Sequence, residues 1–215
     1  MRGQLSRLAP LSGVVFAVLF LILFFAFPDS PDSDASAAKV VSFFTDHGDS
    51  QSALAFMLWY AMLFAVFFGA ALRSYLRRRG GSDGLIALGF LGMGFFALAT
   101  SILGGFLFAA ADVPTKISPA AEQALNVLQD DLFAPVFVGV ALCMIGNGLA
   151  IVLAEVKALP RWLGWVALLI GLVAIVPPVS FFSLFGLVGW ALIVSVLVYL
   201  REGESAPAAA PAGTG

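Results

Sequence analysis

The residues best suited to chemistry lie in a short acidic stretch around the only histidine of the chain. In Asp46-His47-Gly48-Asp49, two carboxylates and an imidazole could bind a divalent cation or relay a proton. Asp130 and Asp131 would join them if their two loops meet. The alternative, which we favour, is that these carboxylates are solvated helix caps and the histidine is an ordinary loop residue, because the pattern is no established ligand motif.

Polar side chains inside the apolar segments form the second candidate group. Asn147, near the middle of the fourth apolar segment, is the deepest strongly polar side chain, and hydrocarbon offers such a group no partner, so it is a functional candidate by default. The alternative, which we favour, is an interhelical hydrogen bond worth roughly 0.6–2 kcal/mol. Thr100 and Ser101 are possible partners, and Ser195 lies nearer the inside. We expect all three hydroxyls to bond to carbonyls of their own helices.

The composition excludes several classes of protein. Of the 215 residues, 61% are hydrophobic and 11% are charged, against about 25% charged in soluble proteins. Cys143 is the only cysteine, so no disulfide or cysteine metal site can form within the chain. No GxSxG motif supports a serine hydrolase. We therefore predict a membrane protein with no cofactor, no bound metal and no nucleic-acid partner.

Six apolar segments could carry these residues across a bilayer, since about 20 helical residues span its 30 Å core. They are residues 8–27, 53–72, 85–111, 132–156, 161–176 and 179–200. Small residues at helical spacing, such as Gly69 in the second segment and Gly146 in the fourth, predict close packing of the second, third and fourth helices. The prediction is an all-α bundle of six transmembrane helices over residues 1–201, with a disordered cytoplasmic tail over 202–215.

Two acidic loops are predicted to form short amphipathic helices outside the membrane. Ser36 would cap the first, and Asp49 or Ser50 would then cap the second span. Ser118-Pro119 would begin the second amphipathic helix. The apolar faces of the two helices would consist of Ala37, Val40, Val41 and Phe44, and of Ala121, Leu125, Leu128 and Leu132.

The orientation follows from the run Arg73-Ser74-Tyr75-Leu76-Arg77-Arg78-Arg79. An arginine at the bilayer centre costs roughly 2.5–3.5 kcal/mol, so the run stays in water, and cations flanking spans stay in the cytoplasm. Both termini are then cytoplasmic, and only Lys39 and Lys116 of the eleven cations lie outside. We predict a multi-pass plasma-membrane protein whose partners are membrane lipids, with self-association or other membrane proteins as further partners. No charged residue lies at mid-membrane, which argues against a proton-coupled carrier or a voltage sensor.

Four short motifs carry a family resemblance that covers almost the whole chain. They are Arg7-Leu8-Ala9-Pro10-Leu11-Ser12-Gly13, Phe43-Phe44-Thr45-Asp46-His47, Phe68-Gly69-Ala70-Ala71-Leu72-Arg73 and Leu159-Pro160-Arg161-Trp162-Leu163-Gly164-Trp165. In these motifs the chain resembles uncharacterised six-span integral membrane proteins common in actinobacteria. The group has no established activity, so the resemblance implies the topology and leaves the function open.

Three functions remain compatible with the sequence. A non-catalytic assembly, sensing or accessory component requires no chemistry of the chain and is our first expectation. The second is a channel or carrier for a small neutral or apolar molecule, with Asn147 and the glycine-rich third and fourth segments lining its path. The third is a membrane-embedded enzyme.

Overall fold

A computed structural model describes residues 8–154 and 158–204. These residues form seven α-helices, the first of which follows a 3₁₀ turn at Ala9–Leu11. The helices are α1 (Ser12–Ala26), α2 (Ala37–Arg78), α3 (Asp83–Asp112), α4 (Pro119–Asp131), α5 (Phe133–Val152), α6 (Arg161–Ile175) and α7 (Phe182–Glu204). The all-α prediction is therefore confirmed for the described part of the chain. The predicted end of the fourth segment, at residue 156, lies outside that part.

Six of the helices pack in a closed ring. Helix α1 contacts α2 and α7, α3 contacts α2 and α5, and α6 contacts α5 and α7. The remaining helix, α4, lies against α2 and α3 at one end of the ring. We call this the acidic end, because every charged residue of α4 and of the segment 28–35 is acidic. The other is the arginine end, where the chain turns from α2 into α3 after Arg79.

The length and surface of the helices are those of a membrane protein. Five helical stretches, counting α4 and α5 as one, are long and apolar enough to cross a membrane, and α6 is a shorter apolar helix. Large apolar side chains such as Phe25, Leu91 and Leu169 point away from the bundle and are exposed. In water such a surface would be unfavourable, whereas lipid tails cover it without cost. The chain thus forms a multi-pass helical membrane bundle.

Helix α2 corrects the predicted boundary between the first amphipathic helix and the second span. The predicted cap at Asp49 or Ser50 is wrong, since one helix runs unbroken from Ala37 to Arg78. Ser50 instead donates a hydrogen bond to the carbonyl of His47, at 2.8 Å, within that helix. At 42 residues the helix measures about 63 Å, twice the thickness of a bilayer core, so it projects from the bundle.

Gly48 allows α2 to pass close to the end of α3. A Cβ at Gly48 would lie 2.9 Å from the carbonyl oxygen of Ala111 in α3, so only glycine permits the two helices to come so close. Around this contact Val40, Phe44 and Ala110 are fully buried in a second apolar core beyond the end of the ring. The Ser36 cap is confirmed, because its side chain accepts from the backbone N–H of Lys39.

Helix α4 begins where the sequence predicts, with the Ser118 hydroxyl accepting from the N–H of Ala121 at 3.3 Å. Its buried face is the polar one, because Glu122 and Asn126 point into the protein while Leu128 is exposed. Of the predicted apolar stripe, Ala121, Leu128 and Leu132 are exposed, whereas Leu125 packs against the second apolar core.

Helices α3 and α5 contact each other through backbone atoms, as the small-residue pattern predicts. Three glycines have no room for a Cβ, which would lie 2.2 Å from the nitrogen of Cys143 at Gly92, 2.4 Å from that of Phe96 at Gly139, and 2.4 Å from that of Gly89 at Gly146. We call this contact the glycine seam. Gly69 in α2 is less crowded, since its nearest neighbour would be the flexible side chain of Met93 at 3.0 Å.

The arginine end is closed by polar contacts between helices. Tyr75 donates a hydrogen bond to the carbonyl of Ala158 at 2.8 Å, and Arg78 pairs with Glu202. Helix α7 continues to Glu204, past residue 202 where the tail is predicted to begin, and the Glu202 carboxylate pairs with Arg78 of α2. The rest of that predicted tail, residues 205–215, lies outside the described residues.

Candidate binding cavity

A cavity of about 450 Å³ lies inside the ring, towards the acidic end. Every ring helix except α6 contributes to its wall. The side chains lining it between the helices are Phe20, Leu23, Phe24, Leu54, Leu58, Phe96, Thr100, Leu103, Leu107, Phe133, Val136, Leu184 and Phe185. The wall is therefore almost entirely aromatic and aliphatic, as in sites that hold lipophilic ligands.

Three phenylalanines form the side of the cavity between α1 and α7. The rings of Phe24 and Phe185 meet edge to face with centroids 4.6 Å apart, and Phe181 lies 5.7 Å from each of them. Phe24 and Phe181 are 41% and 42% exposed, so this side of the cavity is less tightly packed than its floor.

The cavity ends near the middle of the bundle. Phe96 lines its lower part and packs edge to face against Phe16, with ring centroids 6.3 Å apart. Nearer the arginine end, Phe68 packs against Trp190. The ring N–H of Trp190 donates to the carbonyl of Leu163 at 2.9 Å. These four aromatic side chains are fully or almost fully buried, so they form a solid floor.

Two polar side chains of the wall have an oxygen without a partner. Thr100 is buried, and its hydroxyl oxygen makes no hydrogen bond to the described residues. Gln129 donates to the Ser30 hydroxyl at 3.0 Å, but its own carbonyl oxygen is buried and unpaired. A buried polar atom without a partner costs about 1–3 kcal/mol, which a ligand could recover.

The mouth of the cavity is formed by the segment 28–35, which we call the lid. Asp29, Ser30 and Asp32 of the lid line the cavity, and the same three residues line an adjoining surface pocket that also contains Lys39, Asp46 and His47. The two carboxylates thus stand between an apolar interior and a polar groove. A molecule with an apolar tail and a polar head would match this change of environment.

Carboxamide side chains hold the lid in place. Gln51 of α2 donates to the carbonyl of Pro28 at 2.8 Å, Asn126 of α4 to that of Pro31 at 2.9 Å, and Gln123 to that of Ala35 at 2.9 Å. Backbone carbonyls only accept, so the amide nitrogens must face the lid. The oxygens of Gln51 and Asn126 consequently point inward, where both are buried and unpaired.

Glu122 lies on the same face of α4 as Asn126, one helical turn away. Its side chain is 0% exposed, and neither carboxylate oxygen has a hydrogen-bond partner among the described residues. Burial without a compensating donor disfavours the charged form and raises the pKa of Glu122 above its ordinary value of 4.5. The attachment of α4 to the bundle therefore depends on the protonation of this carboxyl group.

The structure leaves the predicted acidic stretch on the surface. Asp46, His47 and Asp49 are all exposed on α2, and the His47 ring stacks on Phe43 with centroids 4.7 Å apart. Asp131 is exposed as well, whereas the side chain of Asp130 lies outside the described part of the chain. Within that part, no three His, Cys, Asp or Glu side chains come close enough to hold a metal ion.

Asn147 lies in the glycine seam, away from the cavity. Its amide nitrogen donates to the Cys143 carbonyl at 2.9 Å, and a Cβ at Gly89 would lie 2.6 Å from that nitrogen. The side chain therefore faces the interior of the bundle, as predicted from the cost of placing an amide in hydrocarbon. Its bond is to its own helix, so the expected interhelical bond is absent from its described contacts.

The expectation for the hydroxyls is wrong in two cases. Thr100 bonds to no described carbonyl, whereas Ser195 donates across helices to the carbonyl of Pro10. Ser101 contributes through its backbone, whose carbonyl accepts from the ring N–H of Trp59 at 3.0 Å. Of Asn147, Thr100, Ser101 and Ser195, only Thr100 lies in the wall of the cavity.

Most of the cavity residues could not be predicted from the sequence, because a membrane helix uses the same apolar residue types against a neighbouring helix, a cavity or lipid. The carboxamides at 51, 123, 126 and 129 were a usable signal, since amides on the buried face of a surface helix need partners.

The chain matches no protein-family model, and searches of the curated proteins and of the solved structures find no match. The resemblance to the actinobacterial six-span proteins therefore stays a prediction, and the function must be inferred from the site alone.

Proposed function

We propose that the protein is a six-span component of the plasma membrane that binds a lipophilic molecule in its central cavity, with a non-catalytic sensing or accessory role. The observation that carries this proposal is the cavity itself. It is closed at its floor, and its wall is apolar except for Thr100 and the polar residues near its mouth.

Three features support six spans with both termini in the cytoplasm. Helix α6 has only 15 residues, about 22 Å, but it completes the ring between α5 and α7. The segment between α6 and α7 is short and contains Pro177-Pro178, so the chain reverses direction there. The arginines of α2 and Arg201 of α7 lie at the same end, which the positive-inside rule assigns to the cytoplasm.

Single cysteines in a Cys143→Ser background test this topology. We expect cysteines at Asp34 and Lys116 to react with an impermeant maleimide in intact cells, because both positions are exposed at the acidic end. A cysteine at Ser82, exposed at the arginine end, should react only after the cells are opened. Reaction at Ser82 alone in intact cells would invert the proposed orientation.

The volume and wall of the cavity fit a binding role. About 450 Å³ lies within the range of roughly 300–1,000 Å³ that small-molecule sites occupy. The partly exposed Phe24 and Phe181 give a lipophilic molecule a route from the membrane. The solid floor around Phe16 and Phe96 favours retention of the molecule over its passage through the bundle.

The alternative functions have less support. A path along Asn147 would run through the glycine seam, where backbone contacts leave no space for a permeating molecule. An enzyme would need groups that activate a substrate, yet His47 lies on the surface and Thr100 has no base among its described contacts. Retention of a ligand requires neither a path nor a reactive group.

Photo-crosslinking tests the binding role directly. The probe is dodecanol with a terminal diazirine, added to the full-length protein in nanodiscs of zwitterionic lipid, with labelled residues identified by peptide mass spectrometry. We expect labelling of residues 96–107 of α3. Leu103→Trp should fill the cavity and abolish this labelling, since Leu103 lines the cavity and is only 6% exposed.

Leu98→Trp is the matched control, because Leu98 lies on the same helix but faces away from the bundle and is 60% exposed. This variant should retain the labelling of the cavity. The proposal fails if the probe labels only the outer surface of the ring, or if both tryptophan variants reduce the labelling of the cavity equally.

A further inference from the structure

The charged groups at the mouth of the cavity restrict what kind of molecule fits there. Asp29 and Asp32 border both the cavity and the adjoining pocket, and Asp46 lies in that pocket. Lys39 is the one side chain of fixed positive charge among the residues lining the two spaces. With His47 neutral, three negative charges and one positive leave a net charge of −2 where a head group would lie.

We propose that the ligand is a single-chain amphiphile with a positively charged nitrogen head, its tail in the cavity and its head beside Asp29 and Asp32. This inference rests on the proposed binding function and adds the chemical class of the ligand.

The tail is assigned by the shape and chemistry of the wall. The space lies between the five contributing helices and reaches Phe96, which packs against the buried Phe16, so the tail would end in the middle of the bundle. Aromatic and aliphatic side chains surround it on every side. A volume of about 450 Å³ suits one alkyl chain better than the paired chains of a phospholipid.

The head is assigned by the lack of positive charge in the cavity and by the unpaired acceptors beside it. No Lys, Arg or His lines the cavity itself. An anionic head would therefore add to the net charge of −2 at the mouth, whereas an ammonium group would offset part of it. The unpaired carbonyl oxygen of Gln129 is a further acceptor in the same wall, and an N–H of a primary ammonium could pair with it.

Three diazirine probes with the same dodecyl chain test the assignment of the head. They carry a primary ammonium, a hydroxyl or a sulfate group, and each is measured as the ratio of labelling in the cavity to labelling at the outer surface of the same sample. This ratio removes differences in membrane partitioning. We expect the ammonium probe to exceed the alcohol by about tenfold, and the alcohol to exceed the sulfate.

Neutralising the mouth should remove this preference without closing the cavity. In the double variant Asp29→Asn/Asp32→Asn, labelling by the ammonium probe should fall to the level of the alcohol, while labelling by the alcohol stays unchanged. The control is Asp49→Asn/Asp112→Asn, which removes two exposed carboxylates from the same end that line neither space. It should preserve the preference.

The outcomes separate the two proposals. Equal cavity labelling by all three probes, or a preference for sulfate, would overturn the cationic head and leave the binding function standing. If none of the three probes labels the cavity, the binding function is refuted, and the inference with it. A preference that both double variants reduce alike would show a general effect of surface charge, and would also count against the assignment to Asp29 and Asp32.

Discussion

Two parts of helix α3 that lie about one turn apart are packed in opposite ways. Along Gly89, Gly92 and Phe96 the backbone of α3 contacts the backbone of α5. From Thr100 to Leu107 the same helix borders an open cavity and carries a hydroxyl without a partner. Backbone contacts hold the bundle together in the half nearer the arginine end, so the half nearer the acidic end can leave space for a ligand.

The glycine seam gives the largest predicted effect. Gly92→Ala should lower the free energy of unfolding by about 3 kcal/mol, because the new Cβ would lie 2.2 Å from the backbone nitrogen of Cys143 and only movement of a whole helix could relieve the clash. Thermal unfolding in detergent measures the loss.

Gly94→Ala is the matched control on the same helix, since no atom lies within 4 Å of its Cβ position. It should be neutral or stabilising by up to about 1 kcal/mol, because alanine favours a helix more than glycine does. Equal stability of the two variants would mean that α3 and α5 do not touch at Gly92.

The acidic end gives the second effect, which depends on pH. When α4 is detached, Glu122 has its ordinary pKa, and burial raises that pKa when α4 is attached. As pH rises above about 4.5 the detached state loses its proton first, so attachment is strongest in acid and weakens until the pH passes the raised pKa. The hydrogen-exchange protection factors of residues 119–131, each the ratio of the unprotected to the observed exchange rate at the same pH, should therefore be higher in acid than at neutral pH.

Glu122→Gln should remove this dependence. The amide cannot ionise, and its NH₂ group can donate to the unpaired oxygens on neighbouring side chains, so attachment should strengthen by about 1–3 kcal/mol at neutral pH. Asp49→Asn, at an exposed carboxylate of the same end, should leave the pH dependence as it is in the wild type. Protection factors that still fall with rising pH in Glu122→Gln would assign the effect to another group.

The comparison also separates what the sequence predicts from what it does not. The seam was predictable, because close approach of two helices requires residues without bulky side chains, and Gly139, Cys143 and Gly146 recur on one face of α5. The Ser36 and Ser118 caps were predictable for a similar reason, since a side-chain oxygen must satisfy the first N–H groups of each helix.

The cavity and the extent of α2 could not be predicted in this way. A cavity exists where side chains of several helices end short of one another, and no spacing within one helix records that. The prediction that a new helix begins at Asp49 or Ser50 is wrong. These residue types favour a helix start only where the preceding residues make no packing contacts that hold them in the helix. Here Gly48 and Phe44 continue to pack against α3 and the second core.

Asn147 tests whether the seam depends on polar contacts as well as on close packing. Asn147→Ala removes the hydrogen bond to Cys143 while avoiding a clash with Gly89, so the loss of stability should be roughly 0.6–2 kcal/mol. Labelling of the cavity by the dodecanol probe should not change, because Asn147 is absent from its wall. A variant that stays stable but no longer binds the probe would place a functional residue in the seam.

The smallest predicted effect compares two buried hydroxyls. Thr100→Val keeps the shape of the side chain and removes a hydroxyl that has no partner, so the empty protein should gain about 1 kcal/mol. Ser195→Ala removes a hydroxyl that donates to the Pro10 carbonyl and should lose about as much. Thermal unfolding of the protein stripped of lipophilic ligands would measure both changes in stability. The tail of the dodecyl ammonium probe has no group that can bond to the Thr100 hydroxyl, so the gain from Thr100→Val should be the same with and without the probe, as should the loss from Ser195→Ala. A gain that shrinks or reverses with the probe would place a polar atom of the ligand at Thr100 and count against the assignment of the tail to this part of the cavity.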